Sequence, residues 1–528
     1  MTSRFHPVEM AKQVFSIDVR ALAALRISLG VLILVDLWLR NEFLTEHYTD
    51  AGVLPRQALD LANSGFVPSL YMLDGSTWFA GLLFVTTGVF AALLIAGYRT
   101  RFAVVACLVL MISLHQRNSL VCSAADRLLE ILLFWSLFLP LGAVWSADRH
   151  SADSSESPRS IFTPASVGLL LQVVAVYFFS ALHKLHPAWT ADHTAVYFAL
   201  NSSYSTDLGR QASQWPFPVL QLLTACVFRL ELYGWVLAFS PVATSFLRIV
   251  VVLAFVSFHL GLVALMGLGM FPWISVASWL IFLPKSFWDR AERGRLPRAF
   301  CHRVNRALIQ LSRWGDALPR PVRFARPSLG YYKPGPIIRW APLLVMGYVL
   351  FCNIASIYRA IPLPSEIQRW GRSIGIHQRW RMFAPVPRRI HGWYVATAQL
   401  ADGASVDLIR PDNPIETEPA PFKQRGLQNK LQRCYLIALT SDSGHDHMPA
   451  YVRWLRKRWD VRHSPERQVL SVSLRFEIEY TMPPGRPPLR ASAVLYRWAH
   501  GGEEHLAPLR ESWKAVQTAM RTEYDCGP

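Results

Sequence analysis

The residues best equipped for chemistry lie in one short stretch, Phe179-Ser180-Ala181-Leu182-His183-Lys184-Leu185-His186-Pro187-Ala188-Trp189. It closes an apolar run that begins near Thr163, so Lys184 sits at the end of a membrane-length helix. A lysine there either snorkels to the headgroups as an anchor, the commoner role, or works in a wet or paired site. His183 and His186 flank it, Pro187 breaks the helix, and Trp189 is a ring typical of bilayer boundaries. No carboxylate lies close to the two histidines in sequence, so zinc ligation lacks supporting ligands and no metal is expected.

Further ionisable residues fall inside apolar runs, where each needs a reason. Asp36 and Arg40 are one helical turn apart and can pair. Asp126 and Glu130 share a face of the fourth run. Arg229 and Glu231 in the sixth point apart, so each requires a partner on another helix. His259 lies in the seventh. Taken singly, each is more simply part of an ion pair. Taken with Lys184, they describe a polar cavity between spans four to seven. There is no GxSxG, HExxH or phosphate-loop signature, and Gly267 to Trp273 reads as a tight turn.

The elements that must position these groups are membrane spans. The chain has 528 residues, 52% hydrophobic and only 17% charged, with the apolar residues clustered into long runs. Nine spans are expected, near 20–40, 78–97, 102–117, 126–145, 164–185, 217–240, 245–266, 270–285 and 339–359. No removable signal peptide is evident at Met1–Asp18. The net charge of +18 suggests nucleic acid, but its location argues otherwise. The loop 285–338 alone carries twelve Lys/Arg against Asp289, Glu292 and Asp316, which marks it as cytoplasmic. Nine crossings then put the amino terminus in the cytoplasm and both Lys184 and the C-terminal part outside.

The helical domain is expected over 1–360 and an extracytoplasmic β-rich domain over 361–528. In the latter, Val469–Thr481 alternates as a half-buried strand, and Asp402-Gly403 is a hairpin turn between Trp393–Leu400 and Ala404–Arg410. Leu431–Leu439 and Ala491–Trp498 read as further strands, and Ala450–Trp459 as a basic helix. The seven cysteines show no metal-type spacing. Cys434 and Cys526 are either a disulfide, if their domain faces an oxidising side, or two unrelated thiols.

In order along the chain, several segments resemble the HTTM (horizontally transferred transmembrane) family, bacterial relatives of the vitamin K-dependent gamma-carboxylase. They are Arg26–Gly30, Tyr48–Arg56 with Asp50 and Arg56, Leu114–Asn118, Asp126–Leu129 and Phe138–Gly142. Lys184-Leu185 with Trp189, Glu231, His259 through Trp273, Trp380–Pro385, Gly392-Trp393 and Asp402-Gly403 continue the match. The resemblance implies a helical bundle with an extracytoplasmic β-rich part, in a bacterial inner membrane. It also implies a lyase and quinol-monooxygenase chemistry on a peptide or protein glutamate. The co-substrates would be a reduced naphthoquinone (vitamin K or menaquinol-like), O2 and CO2. Lys184 takes the place of the family's catalytic base. Burial of a lysine lowers its pKa toward the working range, which suits that task.

The departures bear on the substrate. His183 stands where the carboxylases carry a second lysine, and an Asn-His-Ser run is replaced by Arg117-Asn118-Ser119, with His115 about one turn earlier as the candidate substitute. Quinol oxygenation can therefore survive without carboxylation. The rival readings are a non-enzymatic membrane factor for maturing or exporting a secreted peptide, and a quinone- or lipid-binding membrane protein.

Overall fold

The computed structural model describes residues 7–63, 69–150, 159–293, 310, 336–358, 361–412, 415, 430–502 and 505–506. Among the described residues, seven helices are long and apolar enough to cross a membrane. They are α1 (Val19–Asn41), α2 (Thr77–Ala96), α3 (Thr100–Arg117), α5 (Pro164–His183), α6 (Phe217–Ala238), α7 (Thr244–Leu265) and α9 (Pro336–Ile357, apolar from Trp340). Between them lie two shorter helices, α4 (Ala124–Ser136) and the apolar α8 (Phe271–Trp279, extended by a 3-10 turn to Phe282). These two replace the full spans expected at 126–145 and 270–285. The reason is local: Pro140 and Gly142 stop the first, and Gly269 and Pro284 bound the second. The thirteen residues of α4 rise only about 20 Å, less than the roughly 30 Å of a bilayer core.

Both short helices nevertheless join opposite ends of the bundle. At one end Asp126, at the start of α4, meets Arg40, at the end of α1. At the other end, the chain beyond α4 returns to Gly97, where the Asp148 N–H donates to its carbonyl at 3.0 Å. The helix Lys285–Arg293, which follows α8, meets the same end: Arg20 of α1 donates to Asp289 and Glu292 at 2.9 and 2.8 Å. Most of the basic loop 285–338 lies outside the described residues, as does Cys526 and with it any pairing to Cys434.

Close approach between α4 and α5 depends on one glycine. A Cβ added at Gly168 would lie 2.4 Å from the Trp135 ring, so only glycine leaves room for the indole there. Tyr177, Phe255, Trp279 and Phe282 continue the aromatic packing, with Phe255 and Trp279 stacked at 4.2 Å.

The C-terminal part is an antiparallel sheet backed by helices. Its strands β1 (Ile390–Leu400), β2 (Ser405–Asp407), β3 (Val469–Tyr480), β4 (Leu489–Ala499) and β5 (His505–Leu506) lie in the order β2-β1-β3-β4-β5. The β1–β2 hairpin turns at Asp402-Gly403, where Gly403 takes a positive φ of 83°. Strand β3 buries Val472, Leu474, Phe476 and Ile478 as its alternation predicts, whereas Leu470 is exposed. Leu431–Leu439 is not a strand but a helix, α10 (Lys430–Leu439). Its buried residues Leu431, Tyr435, Leu436 and Leu439 fall at helical spacing, a pattern that short apolar runs conceal. The basic helix is present as α11 (Met448–Asp460).

The apolar core runs without interruption from the bundle into the sheet. After α9 the chain turns back into the bundle: Gln378 exchanges two hydrogen bonds with Gln172 of α5, at 2.7 and 3.0 Å. Trp380, fully buried, donates to the same Gln378. Irregular backbone at that depth is tolerated because protein surrounds it.

Candidate functional site

Local structure fixes Lys184 in place. Thr163 caps α5 through a reciprocal pair with Ser166, and Pro164 occupies the first turn. The helix ends at His183, and the Lys184 N–H still bonds to Ala181 at 2.9 Å. His186 then caps a single turn, Pro187–Thr190, accepting from the Ala188 N–H at 3.1 Å. That turn folds Trp189 back so that its ring lies 4.8 Å from the Lys184 ammonium. The ammonium donates to the Glu231 carboxylate on α6. Both side chains are almost fully enclosed, at 2% and 5% exposure. Lys184 is therefore a buried, paired cation rather than a snorkelling anchor.

The pair faces a cavity of about 1210 Å³. Helices α5, α6 and α7 form one wall, and the segment 381–394 with α10 forms the other. Tyr177 also lines it, and its hydroxyl shares a 2.7 Å hydrogen bond with Nε2 of His259. His259 thus lies one residue behind the cavity rather than in it. Glu231 is the only carboxylate lining the cavity among the described residues, against Lys184, Arg381, Arg388, Arg389 and Arg433.

The remaining expected site residues separate from this cavity. Arg229 is exposed on α6, so it does not share the buried environment of Glu231. His183 points toward α9, where its Nε2 and the Ser356 hydroxyl are 2.8 Å apart. Asp126, Glu130 and His115 belong to a buried ion cluster. Arg40 donates to Asp36 at 2.6 Å, to Asp126 at 2.5 Å and to the Tyr48 hydroxyl at 2.6 Å. Glu130 holds His115 Nδ1 and Arg127, both at 2.7 Å. Ligand atoms of Asp36, His115 and Asp126 lie within 4.8 Å of one another. The Arg40 guanidinium already supplies both carboxylates with a cation, so the cluster works as a clamp on α1, α3 and α4.

Asp50 and Arg56 also have a structural role. Arg56 donates to Asp50 from its backbone N–H at 3.0 Å and from its guanidinium at 2.8 Å. Partial burial pushes the Asp50 carboxyl up, but these bonds and the nearby Arg117 outweigh it and hold the carboxyl below its ordinary value. The four arginines of the cavity were not anticipated. Arg381 lies within the Trp380–Pro385 segment that carries part of the family resemblance and Arg388-Arg389 just beyond it, yet nothing local tells which way they face.

A protein-family model for the HTTM domain matches residues 15–288, just over half of the chain. The chain belongs to the HTTM family. No curated protein and no solved structure matches it. The HTTM match includes Lys184, Trp189, Glu231 and His259 and ends before α9. The HTTM domain of this chain thus supplies the Lys184 wall of the cavity, and residues beyond the match supply the arginine wall.

Proposed function

We propose that this HTTM protein is an integral membrane enzyme in which Lys184 is a general base acting on a reduced naphthoquinone. The observation that carries the reading is the Lys184–Glu231 pair, enclosed and facing a cavity with apolar walls. A bare anchor lysine would not be held this way. The residues present fit such a ring: the volume exceeds the ~300–1,000 Å³ of ordinary small-molecule sites, and Phe258, Phe271 and Leu262 offer apolar surface. With O2, a bound reduced naphthoquinone would supply a strong base for removing a proton from the carbon beside a carboxyl group, and CO2 would then add to that carbon.

The chain's own part is smaller and better defined. Lys184 passes its proton to Glu231 along their hydrogen bond and, as a neutral amine, accepts a hydroxyl proton from the ring. Trp189 packs against the ammonium form and favours its return. Loop charge supports an amino terminus in the cytoplasm of a bacterial inner membrane, with the cavity reached from the outer side. The test uses purified protein with reduced menaquinone, O2 and labelled bicarbonate. Ring epoxide is the expected product, and fixed label identifies carboxylation. Absence of both would remove the enzymatic reading and leave a binding role, which the pairing of Lys184 with Glu231 beside the cavity also supports.

A further inference from the structure

The geometry points to a binding site for an anionic amphiphile, with its charged head on the arginines of the cavity and its acyl chain leaving between α6 and α7. It stands whether or not Lys184 acts as a base.

Two features of one continuous cavity support this. The first is charge. Arg388, Arg389 and Arg433 line the cavity, and none has a carboxylate partner among the described residues. Arg433 is buried; its guanidinium donates to the Gly267 carbonyl and lies 5.0 Å from the Tyr204 ring, while its Nε has no hydrogen-bond partner. Arg389 lies 4.0 Å over the Phe198 ring and reaches the Tyr480 hydroxyl at 3.5 Å. A buried guanidinium with an unfilled donor favours an oxyanion, to which it bonds strongly in an enclosed site. Among the described residues Glu231 is the only carboxylate lining the cavity, and Lys184 already occupies it.

The second feature is a side opening. Cys226 on α6 and Ser257 on α7 line the cavity and are exposed as well. On α7, the small residues Ala254, Ser257 and Gly261 line the cavity, and a Cβ added at Gly261 would meet nothing within 4 Å. The outward faces of these helices carry exposed Leu222, Leu253 and Leu260, so the gap opens onto acyl chains rather than water. A free acidic peptide would account for the arginines but not for an apolar exit. A lipid with one anionic head accounts for both.

The test is native mass spectrometry of the full chain in mild detergent, offered phosphatidylglycerol or phosphatidylcholine with identical acyl chains. Phosphatidylglycerol is expected to be retained roughly tenfold better, the order that one or two charge-assisted bonds supply. The variants Arg389→Gln with Arg433→Gln should abolish the preference. Gly261→Trp, placed where the structure has open space, should block the exit and lower retention of phosphatidylglycerol. It would leave lipid bound elsewhere on the basic surface untouched, so no change in this variant overturns the proposal. Equal retention of the two lipids also overturns it, as does displacement of phosphatidylglycerol by inorganic phosphate alone or by a hexaglutamate peptide.

Discussion

The Lys184–Glu231 pair makes a prediction that separates its structural worth from its chemistry. Both groups are enclosed, so removing one leaves the other buried and uncompensated. Glu231→Gln leaves the ammonium, among the described residues, with the Trp189 ring alone as a partner, and Lys184→Met strands the carboxylate. Each single variant should lose about 3–5 kcal/mol of stability, the usual cost of breaking a buried pair from one side. The double variant Lys184→Met/Glu231→Gln strands nothing and should recover most of that loss. The cycle is measured by unfolding in detergent micelles for the wild type, both singles and the double. A coupling energy above about 2 kcal/mol is expected, well beyond the ~0.5 kcal/mol within which independent sites add. Additive losses would refute the pairing and return Lys184 to the role of an anchor. The double variant should be folded and inactive, which no purely structural role predicts.

Three further outcomes follow from the surrounding structure. Arg40→Met removes the guanidinium that Asp36 and Asp126 share, so it should destabilise the bundle by about 3–5 kcal/mol in the same unfolding assay. Burial, aided by the Arg40 cation, pushes the His47 imidazole down to about 3, so His47 stays neutral in the folded protein while the unfolded chain protonates near 6.5. Its contribution is therefore present above about pH 6.5 and is lost as pH falls toward 3, about 2 kcal/mol by pH 5. His47→Asn should remove that part of the pH dependence, read as the difference between the two proteins' unfolding at pH 7.5 and 5. Gly168→Ala should cost about 1–3 kcal/mol by displacing the Trp135 ring, visible as a lower thermal midpoint.

Local patterns in the sequence were enough to place most elements but not to pair them. The long apolar runs, the alternation of Val469–Tyr480 and the Asp402-Gly403 turn are period and turn signals, and each has its element in the structure. Leu431–Leu439 misled because nine apolar-rich residues satisfy a strand or a helix equally well until the packing partners are known. Lys184 and Glu231 stood out as intramembrane charges, but their union spans 47 residues of chain and two helices, so only tertiary structure joins them. The same is true of His115 and Asp126, which join the Arg40 clamp, and of Arg229, which the helix rotation turns outward. The arginine wall was hidden more deeply. Arg381, Arg388 and Arg389 come from irregular backbone after α9, where no periodicity indicates direction, and Arg433 from α10, a segment that reads as a strand.

The role of Lys184 as a base is tested most directly by chemical rescue. Lys184→Ala should lower quinol-dependent oxygen uptake at least ~100-fold, the scale of a general base, while the protein still inserts and folds. Added methylamine should then restore activity in proportion to the concentration of its neutral form, because a small amine fits the space vacated beside Glu231. Full activity in Lys184→Ala, or a loss that no amine restores although the variant still binds the quinol, would contradict the assignment.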